Sequence, residues 1–313
     1  MQFLNDTNID FLGRRKIALA ASGIVILVGL ASLLIKGGPS LSIDFRGGSI
    51  VELRITPAVE IGEIRKILAD ADLGAQGVHE FGEPEELLIY LPTNRTRGVD
   101  DATPTVAAIV AEALPGHVVE LRREETVGPK IGGELRTAAI NSVFVALLLI
   151  IIYISFRFVF HFGVAAVAAL VHDVLVTLGL FSLLDKEISL TILAAFLTII
   201  GYSLNDTIVV FDRIRENMGM RRKESYDSVI NKSINATLSR TLITSLTTLI
   251  VAGILFVAGG AVIHDFAFAL VVGVLVGTYS SIFIASPVLS VWHDWRSSDR
   301  KRALRPKARR AAA

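Results

Sequence analysis

The sequence predicts an α-helical polytopic membrane protein: six transmembrane helices, with one extracytoplasmic α+β domain of ferredoxin-like order between helices 1 and 2. Three observations predict it. Of 313 residues, 52% are hydrophobic and only 19% charged, and the mean hydropathy is +0.59, too apolar for an ordinary soluble chain. Six apolar runs reach the roughly 17–25 residues that cross a bilayer core. Between the first and second of them lies a long charged stretch, 40–137, which holds most of the prolines and no spanning run.

The first run, Ile17–Ile35, follows Arg14-Arg15-Lys16. A signal peptide has the same basic-then-apolar order, but its apolar region is shorter and ends in a small-residue cleavage site. Here the run continues to Lys36-Gly37-Gly38-Pro39, so it reads as an uncleaved first helix closing a segment 1–36. The domain 37–137 follows. Ser42–Ile55 alternates around Gly47-Gly48 and reads as a strand or strand pair. Val59–Leu73 places apolar residues at 61, 64, 67, 68 and 71, one helical face. Gly77–Phe81 and Leu87–Leu91 read as strands around a turn at Gly82-Glu83-Pro84-Glu85. Val106–Leu114, entered through Asp100, Asp101 and Pro104, reads as a second helix, and His117–Arg123 as a last strand. The order is β-α-β-β-α-β.

Val127-Gly128-Pro129 and a short approach, Ile131–Arg136, lead into the membrane domain 138–291. Its spans are Ala138–Phe156, Phe162–Leu184, Ile188–Phe211, Leu242–Ala258 and Phe266–Val291. The polar segment 212–239 between spans four and five reads as an interfacial helix. A basic tail, 292–313, ends the chain, with Arg300–Arg310 at its centre. Lys and Arg set orientation. Nineteen lie in the lead, the 2–3 turn, the 4–5 segment counted from Arg213 to Arg240, and the tail, against Lys186 alone in the 3–4 turn and none in the 5–6 turn. Both termini are therefore expected in the cytoplasm and the 37–137 domain outside. The eleven basic residues from Lys36 to Arg136 do not oppose this, because long translocated domains obey the charge rule poorly.

A formal net charge of +1 decides little, because the signs are segregated along the chain. With no cysteine, disulfides and Cys-ligated metals are excluded. The six histidines lie singly, without metal-ligand spacing. Neither a Gly-rich phosphate loop nor a nucleophile motif is present. The expectation is a chain that is not an enzyme and has no cofactor and no nucleic-acid partner.

The candidate functional residues lie inside the spans. Thr191, Thr198, Tyr202, Asn205 and Asp206 trace one face of span four. Such a stripe is expected to face helices rather than lipid. Asp206 lies about 18 residues, or roughly 27 Å, along that helix, toward the cytoplasmic side. An intramembrane carboxylate is expensive and by default functional; the plain alternative is an interhelical hydrogen bond and nothing more. Thr237, Thr241, Thr244 and Thr248 form a second stripe on span five. Arg240 enters there at the depth of Asp206. A guanidinium stays protonated and would hold the acid ionised, whereas burial favours the neutral acid, so moving the helices apart would let it take a proton. Snorkelling to headgroups is the alternative for Arg240. Asp173, beside His172, lies about 16 Å into span three, and a proton relay and a structural hydrogen bond fit it equally. His264 and Asp265 read as wet. Gly273 and Gly277, with Ser280 and Ser281 beyond, form a GxxxG helix-packing face.

Ser42-Ile43-Asp44-Phe45-Arg46-Gly47-Gly48 resembles the Asp-Phe-x-Gly-Gly signature of the bacterial SecD/SecF family, and Val127-Gly128-Pro129 is similar to the same family. The run Gly201–Asn217 and the run Arg240–Ser245 resemble its SecF branch. The resemblance covers nearly all of the chain apart from the basic tail. It implies a distant relation to RND transporters and a subunit of the Sec export machinery that works in late translocation on the proton gradient. It further implies SecD and the SecYEG channel as partners, YajC and YidC as associates, and an outer domain that contacts the emerging polypeptide. By the same match, Asp206 and Arg240 occupy proton-pathway positions, with Asn205, Tyr202 and Asp173 beside them. Asp44, Phe45, Gly47 and Gly48 form the outer-domain motif. Two other readings stand: a structural partner that stabilises the translocon without proton coupling, and an RND-type small-molecule exporter. The exporter is disfavoured by the small outer domain.

Overall fold

The computed structural model describes residues 7–73, 77–92, 102–220 and 224–296. Helix α1, Arg15–Ile35, is followed by a single helical turn, α2, Ile43–Arg46. The α+β domain then runs β1 Gly48–Thr56, α3 Ile61–Asp70, β2 Gly77–Phe81, β3 Glu83–Leu91, α4 Ala102–Ala113 and β4 Val118–Val127. Five long helices complete the chain: α5 Pro129–Arg157, α6 Phe160–Leu183, α7 Leu190–Met220, α8 Tyr226–Ala258 and α9 Gly260–Ser280. A π-helical turn, Ser281–Ala285, extends α9, and helix resumes over 286–296. Among the described residues, six helices are long and apolar enough to cross a membrane.

The sheet is antiparallel in the order β2-β3-β1-β4, with Val51 opposite Ile89 and Glu124. Period-2 alternation in β1 turns Val51, Leu53 and Ile55 to one face. There they meet Ile64 and Leu68 of α3, Val106 and Val110 of α4, and Leu87 and Ile89 of β3, all buried in one core. Edge strand β4 is exposed along nearly its whole length.

In the membrane domain α6 is the centre, touching α1, α5, α7 and α9. Ala165, Ala166 and Ala169 let its neighbours approach and share a core with Phe162, Phe211, Ile214, Ile234 and Leu289. The α1–α6 crossing is tighter still. A Cβ on Gly179 would sit 2.9 Å from the Cα of Gly29. The Ser32 and Ser182 hydroxyls meet at 2.8 Å beside it. Backbone faces backbone, so nothing flexible can yield. Gly179→Ala should therefore destabilise the protein by about 1–3 kcal/mol, as overpacking does. Gly253→Ala, where the added methyl meets nothing within 4 Å, should be neutral. Thermal unfolding midpoints of the two variants check this, and equal midpoints would refute the crossing argument.

Four local expectations are corrected. Residues 43–46 are a helical turn, not strand. Ser42 Oγ accepts from the Asp44 N–H, and Gly47 and Gly48 at φ +76 and +133 end the turn. Ile43 and Phe45 are buried either way, so alternation could not separate the two conformations. Glu83–Glu85 belong to β3, because Gly82 at φ +85 suffices for the reversal. Pro84 precedes the part of β3 paired to β1, so its missing N–H breaks none of that ladder. The approach 131–136 is the first part of α5. Finally, 212–239 is not an interfacial helix. Its described residues extend α7 to Met220 and start α8 at Tyr226, as an antiparallel pair. Ile214, Ile230 and Ile234 are buried between these extensions, and Asn217 Nδ2 donates to Ser233 Oγ at 2.8 Å. Those apolar residues are spaced among charges, which hid the continuous helices. The basic tail beyond Arg296, and Asp100 and Asp101, lie outside the described residues.

Candidate functional site: two buried carboxylates linked through α9

Asp206 on α7 is 2% exposed. Ser245 on α8 donates to its Oδ2 at 3.3 Å, and the Ser245 and Thr278 hydroxyls lie 2.6 Å apart. Thr278, on α9, donates to the Val274 carbonyl at 2.7 Å. Counting hydrogens gives this chain two directions. With Asp206 protonated, the acid can donate to Ser245, Ser245 to Thr278, and Thr278 to Val274 O, so each hydroxyl hydrogen has an acceptor. With Asp206 ionised, Ser245 must turn its hydrogen to the carboxylate and Thr278 must turn to Ser245. The Val274 carbonyl then loses its extra bond. One proton thus selects between two hydrogen-bond arrangements across α7, α8 and α9.

Asp173 on α6 is 1% exposed. Its Oδ2 accepts from Ser203 of α7 at 2.6 Å and from Ser280 of α9 at 2.8 Å, and its Oδ1 lies 2.9 Å from His172 Nδ1. His172 stacks on Tyr279, whose hydroxyl donates to the Ala18 carbonyl of α1 at 2.8 Å. The two acids are therefore joined by the same helices: Ser203 is one turn before Asp206, and Ser280 two residues after Thr278. Glycine makes the junction possible. A Cβ on Gly277 would stand 2.9 Å from Ser203 Cβ, and one on Gly273 would overlap Ile199. The π turn at Ser281 begins directly after Ser280, and Ser286 Oγ donates to Ser281 O at 3.0 Å. Such turns recur where a helix must re-aim side chains.

The structure does not bring all the expected residues together. No ion pair joins Arg240 to Asp206 among the described residues, and Arg240 is exposed. Thr191, Thr198 and Asn205 are also exposed, so of that stripe Asp206 turns inward while these three do not face the described helices of this chain. Tyr202 is half-buried, and its hydroxyl is buried without a partner. A helical wheel shows which residues share a face, not which face turns inward. Here the inward face is set by Ser203 and Ile199 fitting against the α9 glycines. Sequence reasoning noted His172 beside Asp173 but missed Ser203, Ser245, Thr278 and Ser280 as partners of the acids. The available signal was small hydroxyls inside otherwise apolar runs.

The outer motif lies at the junction of the two domains. Asp44 Oδ2 accepts from the Leu190 N–H, the first residue of α7, at 2.8 Å. Phe45 is buried against Phe181, Ile192 and Phe196. A Cβ on Gly48 would meet Leu91 O at 2.7 Å, and one on Gly132 of α5 would meet Gly47 N at 3.0 Å. No group of three His, Asp or Glu side chains is placed to hold a metal among the described residues.

These elements match known proteins. Residues 106–295 match the model of the protein export membrane protein SecD/SecF C-terminal region, and residues 32–59 match the SecD/SecF GG motif. The protein translocase subunit SecF of Magnetococcus marinus is 49% identical over 292 residues, 92% of this chain and 93% of that one. That of Calditerrivibrio nitroreducens is 44% identical over 284 residues, 90% and 93% of the two chains. Among solved structures, SecDF of Thermus thermophilus, a translocon-associated membrane protein, superposes with a TM-score of 0.85 at 39% identity. The match covers 94% of this chain and 40% of that one. SecDF in a super-membrane-facing form gives a TM-score of 0.72 at 38% identity, covering 97% and 41%. By both family models and by full-length similarity to translocase subunits, the chain belongs to the SecD/SecF family of protein export membrane proteins, in its SecF branch.

Proposed function

We propose that the chain is the SecF-type subunit that couples the proton motive force to late-stage preprotein translocation, working with a SecD-type partner and the SecYEG channel. Its place is the bacterial cytoplasmic membrane, with both termini inside, in keeping with the bias of Lys and Arg. The observation that carries the reading is Asp206, a buried intramembrane acid whose hydroxyl chain has two arrangements selected by one proton. Protons are the only coupling ion required, and no bond-forming chemistry is assigned.

A SecD-type partner is supported by the outward polar stripe Thr191, Thr198 and Asn205, which is poorly suited to lipid. It is also supported by the length of the solved SecDF chain, of which this one matches 40%. YajC and YidC are further associates on the family resemblance alone. The second reading, a purely structural subunit, draws on the Ser245 hydrogen bond, which by itself needs no titration. Gradient-dependent export by Asp206→Asn separates the two readings.

Arg240 acts in the other half of the cycle. In the arrangement seen here Asp206 bonds to Ser245, and Arg240, five residues earlier on α8, acts on the acid through its charge without forming an ion pair. A shift of α8 along α7 would bring the guanidinium to the ionised acid. Arg240→Met should therefore leave insertion and partner binding intact and reduce proton-driven export to the level seen without a gradient. Export assays in sealed vesicles with and without a collapsed gradient read this out. Full stimulation in Arg240→Met would remove Arg240 from the cycle.

A further inference from the structure

The short α6–α7 turn gathers contacts from α1, from α9 and from the segment that leads into the α+β domain. Lys36 at the end of α1 pairs with Asp185. Lys186 pairs with Asp265 at the start of α9. The backbone of Ile188 bonds in both directions to the segment leading into the α+β domain: Ser42 N–H to Ile188 O at 3.0 Å, and Ile188 N–H to Ser40 O at 2.7 Å. Asp44 accepts from the Leu190 N–H, while Ser189 Oγ accepts from Ile192 N–H, so two orphan donors of the first turn of α7 are capped, one of them from another element. Glu187 of this turn and Tyr90 of β3 border the same two cavities, so the turn and the sheet meet there as well.

We propose that these contacts form a transmission joint carrying movement of α7 into the α+β domain, with Asp44 as the positioning residue and Glu187–Tyr90 as a second strut. The polypeptide path supports it. Asp44 is followed, after Phe45 and Arg46, by Gly47 at positive φ and by Gly48, also at positive φ, which opens β1, an inner strand of the sheet. A displacement of the α7 N-terminus therefore reaches β1 through four residues. Phe45, buried against α6 and α7, keeps the turn seated on the membrane helices. The surroundings leave room to move. Cavities of ≈ 410 and ≈ 500 Å³ lie on either side, and Ile43, Tyr90 and Glu187 line both. Arg46, Asp44, Asp265, Arg123 and Glu125 face the same spaces. Burial raises the Glu187 carboxyl, against Arg46 and Tyr90, which act to lower it. Burial, and then Glu187, likewise raises the Tyr90 hydroxyl, so Tyr90 stays a donor.

The proposal rests on the proton-coupling reading only for what drives α7, and the test separates the two. Because the chain has no cysteine, Glu63→Cys on α3 and Val257→Cys at the end of α8 provide a unique exposed pair for spin labels. Distances are measured in the intact complex with its SecD-type partner, in vesicles, with and without an imposed proton gradient. Without a gradient, Asp44→Ala and Tyr90→Phe should broaden the distance distribution, and Asp44→Asn, an equally good cap, should restore it. With a gradient, the shift seen for the labelled parent should be lost in Asp44→Ala and kept in Asp44→Asn. A distribution in Asp44→Ala as narrow as that of the parent, or a full shift, overturns the joint. If the parent itself shows no gradient-driven shift, the coupling reading falls. The joint is then decided by the widths without a gradient.

Discussion

Asp206→Asn should insert, accumulate and bind its partner, yet lose gradient-driven stimulation of export altogether. The amide keeps the shape of the acid and can still accept from Ser245, so the α7–α8 contact survives. It cannot gain or lose a proton, so the Ser245–Thr278–Val274 chain is held in one direction. What is lost is the response to the gradient. Moving one charge through 100 mV supplies roughly 2.3 kcal/mol, enough to bias a two-state element by more than about tenfold. Preprotein export into sealed vesicles, compared with and without a gradient at matched protein levels, measures it. Equal stimulation in wild type and Asp206→Asn would sink the coupling reading and leave the structural one.

The second large effect should come from Asp173, and it should be of a different kind. Asp173→Ala leaves the hydroxyls of Ser203 and Ser280 and the Nδ1 of His172 without their shared partner, at a point where three helices meet. A hydrogen bond between membrane helices contributes about 0.6 kcal/mol on average. Losing the two interhelical bonds, leaving the adjacent His172 Nδ1 without its acceptor and opening a small cavity should together destabilise the domain by about 2–4 kcal/mol. Asp173→Asn keeps an oxygen for the two serines, and its amide can face a histidine tautomer with a free Nδ1, so it should remain close to wild type in stability. Unfolding in mild detergent compares the three proteins. We assign Asp173 as a tether between α6, α7 and α9. Wild-type stability in Asp173→Asn combined with lost proton stimulation would instead make it a second proton site.

The contrast between the two acids shows what could be read in advance. Both stood out as carboxylates in apolar runs, since their desolvation makes them rare in any spanning helix. Their partners did not stand out. A serine in a membrane helix costs little, so Ser203, Ser245 and Ser280 look alike whether they face lipid or a carboxylate. Arg240 was paired with Asp206 on depth alone, and depth leaves the angle about the helix axis open. Glycine behaved in the same way. The GxxxG spacing drew notice to Gly273 and Gly277, whereas Gly29 and Gly179 lie on different helices and have no common spacing, yet make the closest crossing of α1 on α6.

By itself, the sequence determined the number of spans, the β-α-β-β-α-β order, the buried acids and the Asp-Phe-x-Gly-Gly motif. Each of these is written in local hydrophobicity, in period, or in one costly charge. Only the tertiary structure decided that Thr191, Thr198 and Asn205 turn outward, that 212–220 and 226–239 prolong two helices, and that Asp173 and Asp206 share α7 and α9. It alone placed Asp44 on the first turn of α7. These facts depend on helix rotation and on contacts between residues far apart in the chain. Close packing of glycine against serine sets that rotation, and no periodicity within a single helix encodes it.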